Sequence, residues 1–253
     1  AATEINFYFE GKPFYGKTLK AIVILAAKNP GSGEPTGIVD IKNGPDHIYC
    51  SVTSFTGNVG SCEFFADFVG QGSFTASYAG DANYEGSLSP PVDITFGKAT
   101  PVFTLAADPA ISVVGQDVRF TVTATAVTVS PPTGSTFIRY EGNQNCPPFT
   151  LVNGTGSCTI NFSSSGHRML TIIYSGDGYY IPVTQSSDYL VDPAGAVPVI
   201  LSTNPSPSLP NQPFTINFEV TAQASGSTTP TGGVTIKEGD QVLCSAELPS
   251  TSC

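Results

Sequence analysis

Apolar and polar residues alternate with a period of two in a stretch that occurs three times along the chain. Such alternation is typical of a β-strand with one buried and one exposed face. The apolar positions are Leu19, Ala21, Val23 and Leu25 in the first stretch, Val118, Phe120, Val122 and Ala124 in the second, and Phe214, Ile216, Phe218 and Val220 in the third. Gly, Pro or β-branched residues interrupt every candidate for a long amphipathic helix. The pattern therefore predicts an all-β protein.

The landmarks around these strands recur in a fixed order. Pro-Thr-Gly follows each stretch, at residues 35–37, 132–134 and 230–232. A strand-like run and a pair of cysteines come next, and a further strand then leads into Tyr-x-Gly-Asp, at residues 78–81 and 174–177. The period of 96 to 98 residues suits a small β-sandwich and is too long for a solenoid unit of about 20–50 residues.

The repeat predicts three tandem β-sandwich domains, with about seven strands in each complete copy. Domain 1 is residues 1–97, domain 2 is residues 98–195, and domain 3, residues 196–253, contains only the N-terminal half of the repeat. Prolines in the short linkers limit backbone freedom, so we expect an elongated, semi-rigid array. Three sources compete for the second half of domain 3: a longer parent chain, a segment removed at a recombinant boundary, or a strand donated by another subunit, for which Ile5–Phe9 is the candidate.

The composition and net charge indicate which kinds of partner the chain is not expected to bind. The chain has 253 residues, of which 12% are charged, with 26 Gly and 21 Pro, a mixture that favours short strands joined by many turns. Its net charge of −10 disfavours nucleic acid and anionic membranes, which bind basic surfaces. The sequence lacks a run of about 20 apolar residues, so we predict no membrane insertion in this segment.

Six cysteines form three pairs with related spacing. They are Cys50 with Cys62, Cys146 with Cys158, and Cys244 with Cys253. Six cysteines allow 15 pairings, and the repetition selects the pairing within each domain. Turn signals at residues 56–58 and 153–155 predict that each pair faces across two neighbouring antiparallel strands. Disulfides indicate an oxidising compartment, so we expect a secreted or cell-surface protein.

The Tyr-x-Gly-Asp motif is either a ligand site or a turn. Between the copies, Asn83 becomes Tyr179 and Glu85 becomes Ile181, so further calcium ligands are not repeated. What recurs is Tyr78, Gly80 and Asp81 in domain 1 and Tyr174, Gly176 and Asp177 in domain 2. Gly permits a positive φ and Asp accepts backbone N–H bonds, so we predict a structural turn before the last strand, with no metal or cofactor.

The histidines and the sequence motifs of this chain do not indicate a catalytic site. His47 and His167 occupy unrelated positions and have no recurrent Ser or Asp partner in the sequence. The motifs Gly-x-Ser-x-Gly, His-Glu-x-x-His and the P-loop do not occur. We therefore predict that this segment is not an enzyme.

The order of Pro-Thr-Gly, a hairpin and a strand into Tyr-x-Gly-Asp resembles the bacterial immunoglobulin-like (Ig-like) repeat family of large surface and secreted proteins. The resemblance covers domains 1 and 2 and the first half of domain 3. It implies Ig-like sandwiches used as a stalk, a spacer or an adhesive array. The cysteine pair departs from the family pattern. It also differs from the antibody layout, in which the bridge joins two sheets across a Trp, because this chain has no Trp.

Two functions are expected from these features. The first is an extracellular structural or interaction protein whose disulfide-stapled Ig-like repeats form a cell-surface stalk, adhesin or filament. Its partners would be neighbouring Ig-like domains or other copies of itself in a homopolymer, with surface glycans as a further candidate. The alternative is a carbohydrate-binding or accessory region of a secreted hydrolase, which would use exposed aromatic side chains. The candidates are Tyr8, Tyr15, Tyr84, Tyr140, Tyr179 and Tyr180.

Overall fold

The computed structural model describes residues 1–125, 130–141, 143–144, 146–223 and 229–253. These residues form strands, turns and loops, without a helix. Together with the tandem sheets described below, this confirms the predicted all-β architecture.

Domain 1 contains two antiparallel sheets that pack face to face. Its strands are β1 (Thr3–Glu10), β2 (Thr18–Ala27), β3 (Val39–Asn43), β4 (Ile48–Val52), β5 (Phe55–Thr56), β6 (Val59–Phe65), β7 (Gly70–Gly80), β8 (Glu85–Leu88) and β9 (Val92–Phe96). One sheet has the order β1-β2-β6-β5, and the other has the order β4-β3-β7-β8 with β9 also paired to β7. The alternating residues of both sheets meet in one core, in which Leu19, Val23, Ile41 and Phe74 are fully buried.

Domain 2 repeats this arrangement, except that one of its strand pairs is parallel. Its strands are β10 (Val102–Asp108), β11 (Ser112–Val113), β12 (Asp117–Thr125), β13 (Ser135–Tyr140), β14 (Asn143–Gln144), β15 (Phe149–Thr150), β16 (Thr155–Asn161), β17 (Gly166–Tyr174) and β18 (Val183–Asp192). The sheet β10-β12-β16 packs on the sheet β11-β18-β17-β13-β14, in which β15 also pairs with β13 and β11 pairs in parallel with β18. Val118, Phe120, Val122 and Ala124 are buried at the predicted period of two.

Domain 3 has four strands in its described part. They are β19 (Ala196–Asn204), β20 (Thr215–Ala222), β21 (Gly232–Glu238) and β22 (Gln241–Leu248), paired as β19-β20 and β21-β22. Ser252 bridges Asn217, and Ile216 and Cys253 exchange two backbone hydrogen bonds. The last residues therefore lie beside β20, in the position that β6 holds beside β2 and β16 holds beside β12.

The prediction that the two cysteines of each pair lie on neighbouring antiparallel strands is wrong. Cys50 lies on β4, which pairs with β3, whereas Cys62 lies on β6, which pairs with β2 and β5. The turn at residues 56–58 is present, but it closes the short hairpin of β5 and β6. The chain has already crossed from one sheet to the other before that turn, so the cysteines lie on opposite sheets.

Candidate functional site: the Tyr-x-Gly-Asp corner and the joint between domains

The corner of domain 1 lies between β7 and β8, and the Asp81 carboxylate is at its centre. One carboxylate oxygen accepts hydrogen bonds from the backbone N–H groups of Asn83 and Tyr84, both at 2.8 Å. The other accepts from the Thr36 N–H at 2.8 Å and from the Thr36 hydroxyl at 2.7 Å. Asp81 thus closes its own turn and also ties that turn to the Pro-Thr-Gly loop, which precedes β3.

The corner of domain 2, between β17 and β18, has the same four bonds. Asp177 accepts from the N–H groups of Tyr179 and Tyr180 at 2.8 and 2.9 Å. It also accepts from the Thr133 N–H at 2.8 Å and from the Thr133 hydroxyl at 3.2 Å. The two recurrent landmarks of the sequence are therefore the two halves of one contact, which we call the Asp–Thr clasp. The sequence contains a signal of this contact, because the two landmarks recur together.

Each corner needs glycine immediately before its aspartate. Gly80 has a φ of +92°, and a Cβ atom there would lie 2.8 Å from the Tyr84 carbonyl oxygen. Gly176 has a φ of +80°, and its Cβ would lie 2.9 Å from the Tyr180 carbonyl oxygen. Both the left-handed backbone and the close approach exclude a side chain.

Two tyrosine hydroxyls anchor the corner of domain 1 in its sandwich, and the second of them has a counterpart in domain 2. The buried Tyr78 hydroxyl donates to the Thr36 carbonyl at 2.5 Å. Burial, with a smaller contribution from Asp81, raises the pKa of Tyr78 to about 12. The second tyrosine secures the loop ahead of Pro-Thr-Gly, because Tyr84 donates to the Ser32 carbonyl at 2.7 Å and Tyr180 donates to the Ser130 carbonyl at 2.6 Å.

The hydrogen bonds keep both aspartates ionised. The bonds from Thr36, and then those from Asn83 and Tyr84, hold the pKa of Asp81 well below its ordinary value of 3.8. Partial burial raises the pKa of Asp177, but the bonds from Thr133 and the turn outweigh that effect and lower it overall. Four donors occupy the acceptor positions of each carboxylate. Within the described ranges, no cluster of His, Cys, Asp or Glu has a geometry that could hold a metal ion.

The three disulfides each join the two sheets of a domain. Cys50 and Cys62 have their Cα atoms 5.8 Å apart, and Cys146 and Cys158 have theirs 6.0 Å apart. Cys146 is tied to the sheet of β13 by its N–H bond to Ile138, whereas Cys158 lies on β16 in the other sheet. In domain 3, Cys244 on β22 is bonded to Cys253 beside β20, with a Cα separation of 5.8 Å.

The linker between domains 1 and 2 is hydrogen-bonded on both sides. Gly97 donates to the Pro13 carbonyl at 2.8 Å and accepts from the Tyr15 N–H at 2.9 Å, both in domain 1. Two residues later, Ala99 donates to the Tyr179 carbonyl at 2.9 Å and accepts from the Ile181 N–H at 2.9 Å, both in the corner of domain 2. The linker is therefore part of both domains rather than a loose connection.

Tyr15 inserts its ring into this joint. Only 1% of its surface is exposed, and it belongs to the core cluster of domain 2 although its backbone lies in domain 1. Its ring stacks on Tyr179 with centroids 4.6 Å apart and meets Tyr180 edge to face at 5.7 Å. The Lys98 ammonium group adds a bond to the Asp177 carbonyl at 2.5 Å. We call these contacts together the Tyr15 joint.

The corner of domain 1 binds the chain ahead of its own first strand in the same way. The Ala1 amino group donates to the Asn83 carbonyl at 2.6 Å, and the Glu85 N–H donates to the Ala1 carbonyl at 2.8 Å. Ala1 thus takes the part that Ala99 takes in domain 2. Each corner is a docking place for the segment that leads into β1 or β10.

The other candidate side chains are dispersed. His47 packs its ring edge to face with Tyr49, and the exposed His167 pairs with Asp188 at 2.7 Å. Of the six tyrosines considered for glycan binding, Tyr15 and Tyr180 are buried. The residues the structure describes include no helix that is long and apolar enough to cross a membrane.

Comparison with known families agrees with this geometry. Residues 105–191 match the model of the bacterial Ig-like domain (group 3). Domain 2 is therefore similar to the bacterial Ig-like domains of this group. In domain 2 the Cys146–Cys158 bridge joins the two sheets, as the antibody bridge does, but it does so without the adjacent Trp. Of the expected differences from the antibody layout, only the absence of that Trp therefore remains.

The chain is also similar to several solved structures. Invasin, described as a bacterial integrin-binding protein, aligns with a TM-score of 0.52 and 15% identity over 92% of this chain and 50% of its own, so the chain spans half of the invasin structure. FdeC, an adhesin of Escherichia coli, aligns with a TM-score of 0.32 and 11% identity over 93% of this chain and 79% of its own. The fibronectin(III)-like modules of Clostridium thermocellum CbhA align with a TM-score of 0.30 and 16% identity over 76% of this chain and 94% of their own. No curated protein sequence matches this chain.

Proposed function

We propose that this chain is an extracellular structural protein whose disulfide-stapled Ig-like domains, divided at residues 97/98 and 195/196, form a stiff stalk at a cell surface. The observation that carries the proposal is the Tyr15 joint, because it makes the linker a bonded part of both neighbours. A stalk must transmit orientation from one domain to the next, and a joint of this kind does so.

The energetic argument rests on several contacts that must break together. Four backbone hydrogen bonds hold the linker at Gly97 and Ala99, each with a net contribution of about 0.5–1.5 kcal/mol. The aromatic contacts of Tyr15 add about 0.5–1.5 kcal/mol per pair beyond the area that they bury. Bending at the linker would also expose the Tyr15 ring to water. We therefore infer one preferred angle between domains 1 and 2.

The disulfides support both the location and the mechanical role. A bridge that closes a loop of this size contributes roughly 3 kcal/mol at most in the chain-entropy model. Because each bridge joins opposite sheets, it opposes their separation, which is the motion that opens a sandwich. Such bonds persist in oxidising surroundings outside the cytosol, and this supports the placement at a cell surface.

Distance measurements between the domains test the stalk. Spin labels carried on non-canonical residues at Ser61 and Thr159, which are both exposed, leave the cysteines untouched. We expect a narrow distance distribution in the unaltered chain and a broad one in Tyr15→Ala. Tyr8→Ala, which removes a ring on the outer face of β1, is the matched control and should leave the distribution narrow.

A broad distribution in the unaltered chain would contradict the stalk, even if the domains themselves were fully folded. The glycan-binding alternative gains no comparable observation. Of its candidate rings, Tyr15 and Tyr180 are buried and Tyr179 stacks on Tyr15. Catalysis forms no part of the proposal.

A further inference from the structure

The turn at Asn153 and Gly154 leads into β16 of domain 2. The φ of Asn153 is +50° and that of Gly154 is +75°. Val152 and Thr155 flank the turn and exchange two backbone hydrogen bonds, of 2.9 and 3.0 Å. Positive φ at both central residues defines a type I′ hairpin turn, for which Asn-Gly is a favoured sequence. The backbone of Asn153 is thus needed for the reversal of the chain.

The side chain of Asn153 is not needed for the turn. It is exposed, and among the described residues its amide has no hydrogen-bond partner. In the same part of the chain, the N–H of Gly154 also has none. Gly154 has no side chain that could shield its backbone nitrogen. A carboxamide and the nitrogen that follows it are therefore both available for reaction with each other.

These two groups can form a five-membered ring. The nitrogen of Gly154 attacks the side-chain amide carbon of Asn153 and loses its proton, and ammonia leaves as the new C–N bond forms. Water then opens the ring at one of its two carbonyl groups. One opening gives aspartate, and the other gives isoaspartate, in which the main chain runs through the side-chain carbons. The sum is hydrolysis of one amide by one water molecule, with release of ammonia.

The turn of domain 1 at the matching place in the repeat has the reverse order, Gly57-Asn58. The residue after the asparagine is therefore Val59, whose β-branched side chain crowds the backbone nitrogen. Val59 is also paired with Thr56 in the hairpin of β5 and β6. The same ring closure is thus hindered at Asn58 by its neighbour.

The other Asn-Gly sequence of the chain is Asn43-Gly44. Its neighbour is the reactive one, but its side chain is held in place. The Asn43 side-chain oxygen accepts a hydrogen bond from the Ser73 N–H at 3.3 Å, and Asn43 is half-buried. Asn43 and Asn153 therefore share a sequence and differ in the structure around the amide.

The Asn153 turn is bonded to the segments beside the Asp–Thr clasp of domain 2. The Gly154 carbonyl accepts from the N–H of Ala124, in β12, at 2.7 Å. Just before the turn, the Leu151 N–H donates to the carbonyl of Gly134, the last residue of Pro-Thr-Gly, at 3.3 Å. A longer main chain at Asn153 would displace the carbonyl that Ala124 binds.

We propose that Asn153 is a site of spontaneous deamidation, with water as the only co-reactant, that alters domain 2 irreversibly as the protein ages. Both products add one negative charge to the turn. The isoaspartate product also lengthens the main chain by one carbon atom and breaks the bond between Gly154 and Ala124. The matching turn of domain 1 is spared. The inference is independent of the proposed stalk.

Peptide mapping by mass spectrometry, with fragmentation that distinguishes isoaspartate from aspartate, tests the site. The intact folded chain is incubated in mildly alkaline buffer, and conversion is followed at each asparagine. Asn153 should convert within days. Asn43 should convert about two- to ten-fold more slowly, because its hydrogen bond must break first, and Asn58 should keep its amide. In urea the two Asn-Gly sites should convert at similar rates, which separates the effect of the fold from that of the sequence.

Asn153→Gln is the matched control, because it keeps an amide at this position but cannot form the five-membered ring. Hydrogen exchange should show loss of protection at the Ala124 N–H in the aged chain. It should show no loss in aged Asn153→Gln, or in fresh Asn153→Asp, which has the charge without the longer main chain. Retention of the Asn153 amide, or equal rates at Asn43 and Asn153 in the folded chain, would overturn the proposal. Unchanged protection of Ala124 after conversion would overturn its structural consequence.

Discussion

The corners of domains 1 and 2 share the residues that close each domain. They differ in the segment of the chain that packs against the corner. Both have a buried tyrosine, a glycine with positive φ and an aspartate bound to a Pro-Thr-Gly threonine. At the next positions domain 1 has Asn83 and Glu85, where domain 2 has Tyr179 and Ile181. The first pair bonds to Ala1, and Glu85 also to Thr3, whereas the second pair receives the linker, with Tyr179 also stacked against Tyr15.

Within eight residues, each corner therefore contains positions with two different roles. Positions shared by the corners form the fold of the domain, and positions that differ reflect the surface packed against it. The difference predicts that changes at shared positions unfold a domain, whereas changes at Tyr179 loosen the joint and leave both domains folded.

Removal of one disulfide should have the largest effect on the stability of a domain. Cys50→Ser with Cys62→Ser should destabilise domain 1 by about 2–4 kcal/mol, because its unfolded state loses a covalent constraint. Differential scanning calorimetry should show the transition of domain 1 lowered by roughly 10 °C or more. Cys146→Ser with Cys158→Ser should do the same to domain 2. Unchanged transitions in both variants would contradict a stabilising role.

Substitution of the corner glycine should have the next largest effect. Gly176→Ala should destabilise domain 2 by about 1–3 kcal/mol, since a residue with a Cβ atom is strained at this φ. Gly178→Ala is a control within the same turn, because its Cβ would meet nothing within 4 Å and domain 1 has Ala82 there. Urea denaturation should separate the two variants, and equal stabilities would remove the strain argument.

Acidification should weaken both corners. The pKa of Asp81 and that of Asp177 are below the ordinary value of 3.8 in the folded chain. A depressed pKa contributes stability that is complete above the unfolded value and is lost as the pH falls through the folded value. Thermal stability should therefore fall below about pH 4. The fall should be smaller in Asp81→Asn with Asp177→Asn, and an identical pH profile in this variant would assign the acid sensitivity to other groups.

Exchange of Asn83 and Tyr179, which differ between the two corners, should have the smallest effect on stability. Its clearest effect should be on the angle between domains 1 and 2. Tyr179→Asn should cost about 0.5–1.5 kcal/mol through loss of the ring pair and should broaden the distances between domains 1 and 2. Asn83→Tyr, at an exposed position, should change neither quantity. A narrow distance distribution in Tyr179→Asn would show that the backbone bonds of the linker alone fix the angle.

The alternation of apolar residues was sufficient to predict the strands and their buried faces, because a sandwich core imposes a period of two. It could not predict which strands become neighbours. The turn at residues 56–58 signals a reversal of the chain, but nothing local marks the crossing between sheets after Val52. Pairing in a sandwich depends on packing between distant segments, and for that reason the turn signals alone predict both cysteines on one sheet.

The clasp and the joint differ in how far the sequence could reveal them. Thr and Asp recur together in both complete copies, so their contact leaves a signal that the repeat itself contains. Tyr15 has no aromatic counterpart, because the position before Gly115 in domain 2 is Val114. A contact that occurs once in a chain leaves no repeated pattern, and only the structure brings Tyr15 to Tyr179.

The separation of roles within the corner has a consequence for how such chains grow by duplication. A copied domain retains its Asp–Thr clasp, because both partners of the clasp lie within one repeat. The surface toward the preceding domain then changes through Asn83 or Glu85, or through Tyr179 or Ile181, without disturbing the residues that close the sandwich. Gene duplication can therefore lengthen the chain first and adapt each new junction afterwards, one substitution at a time.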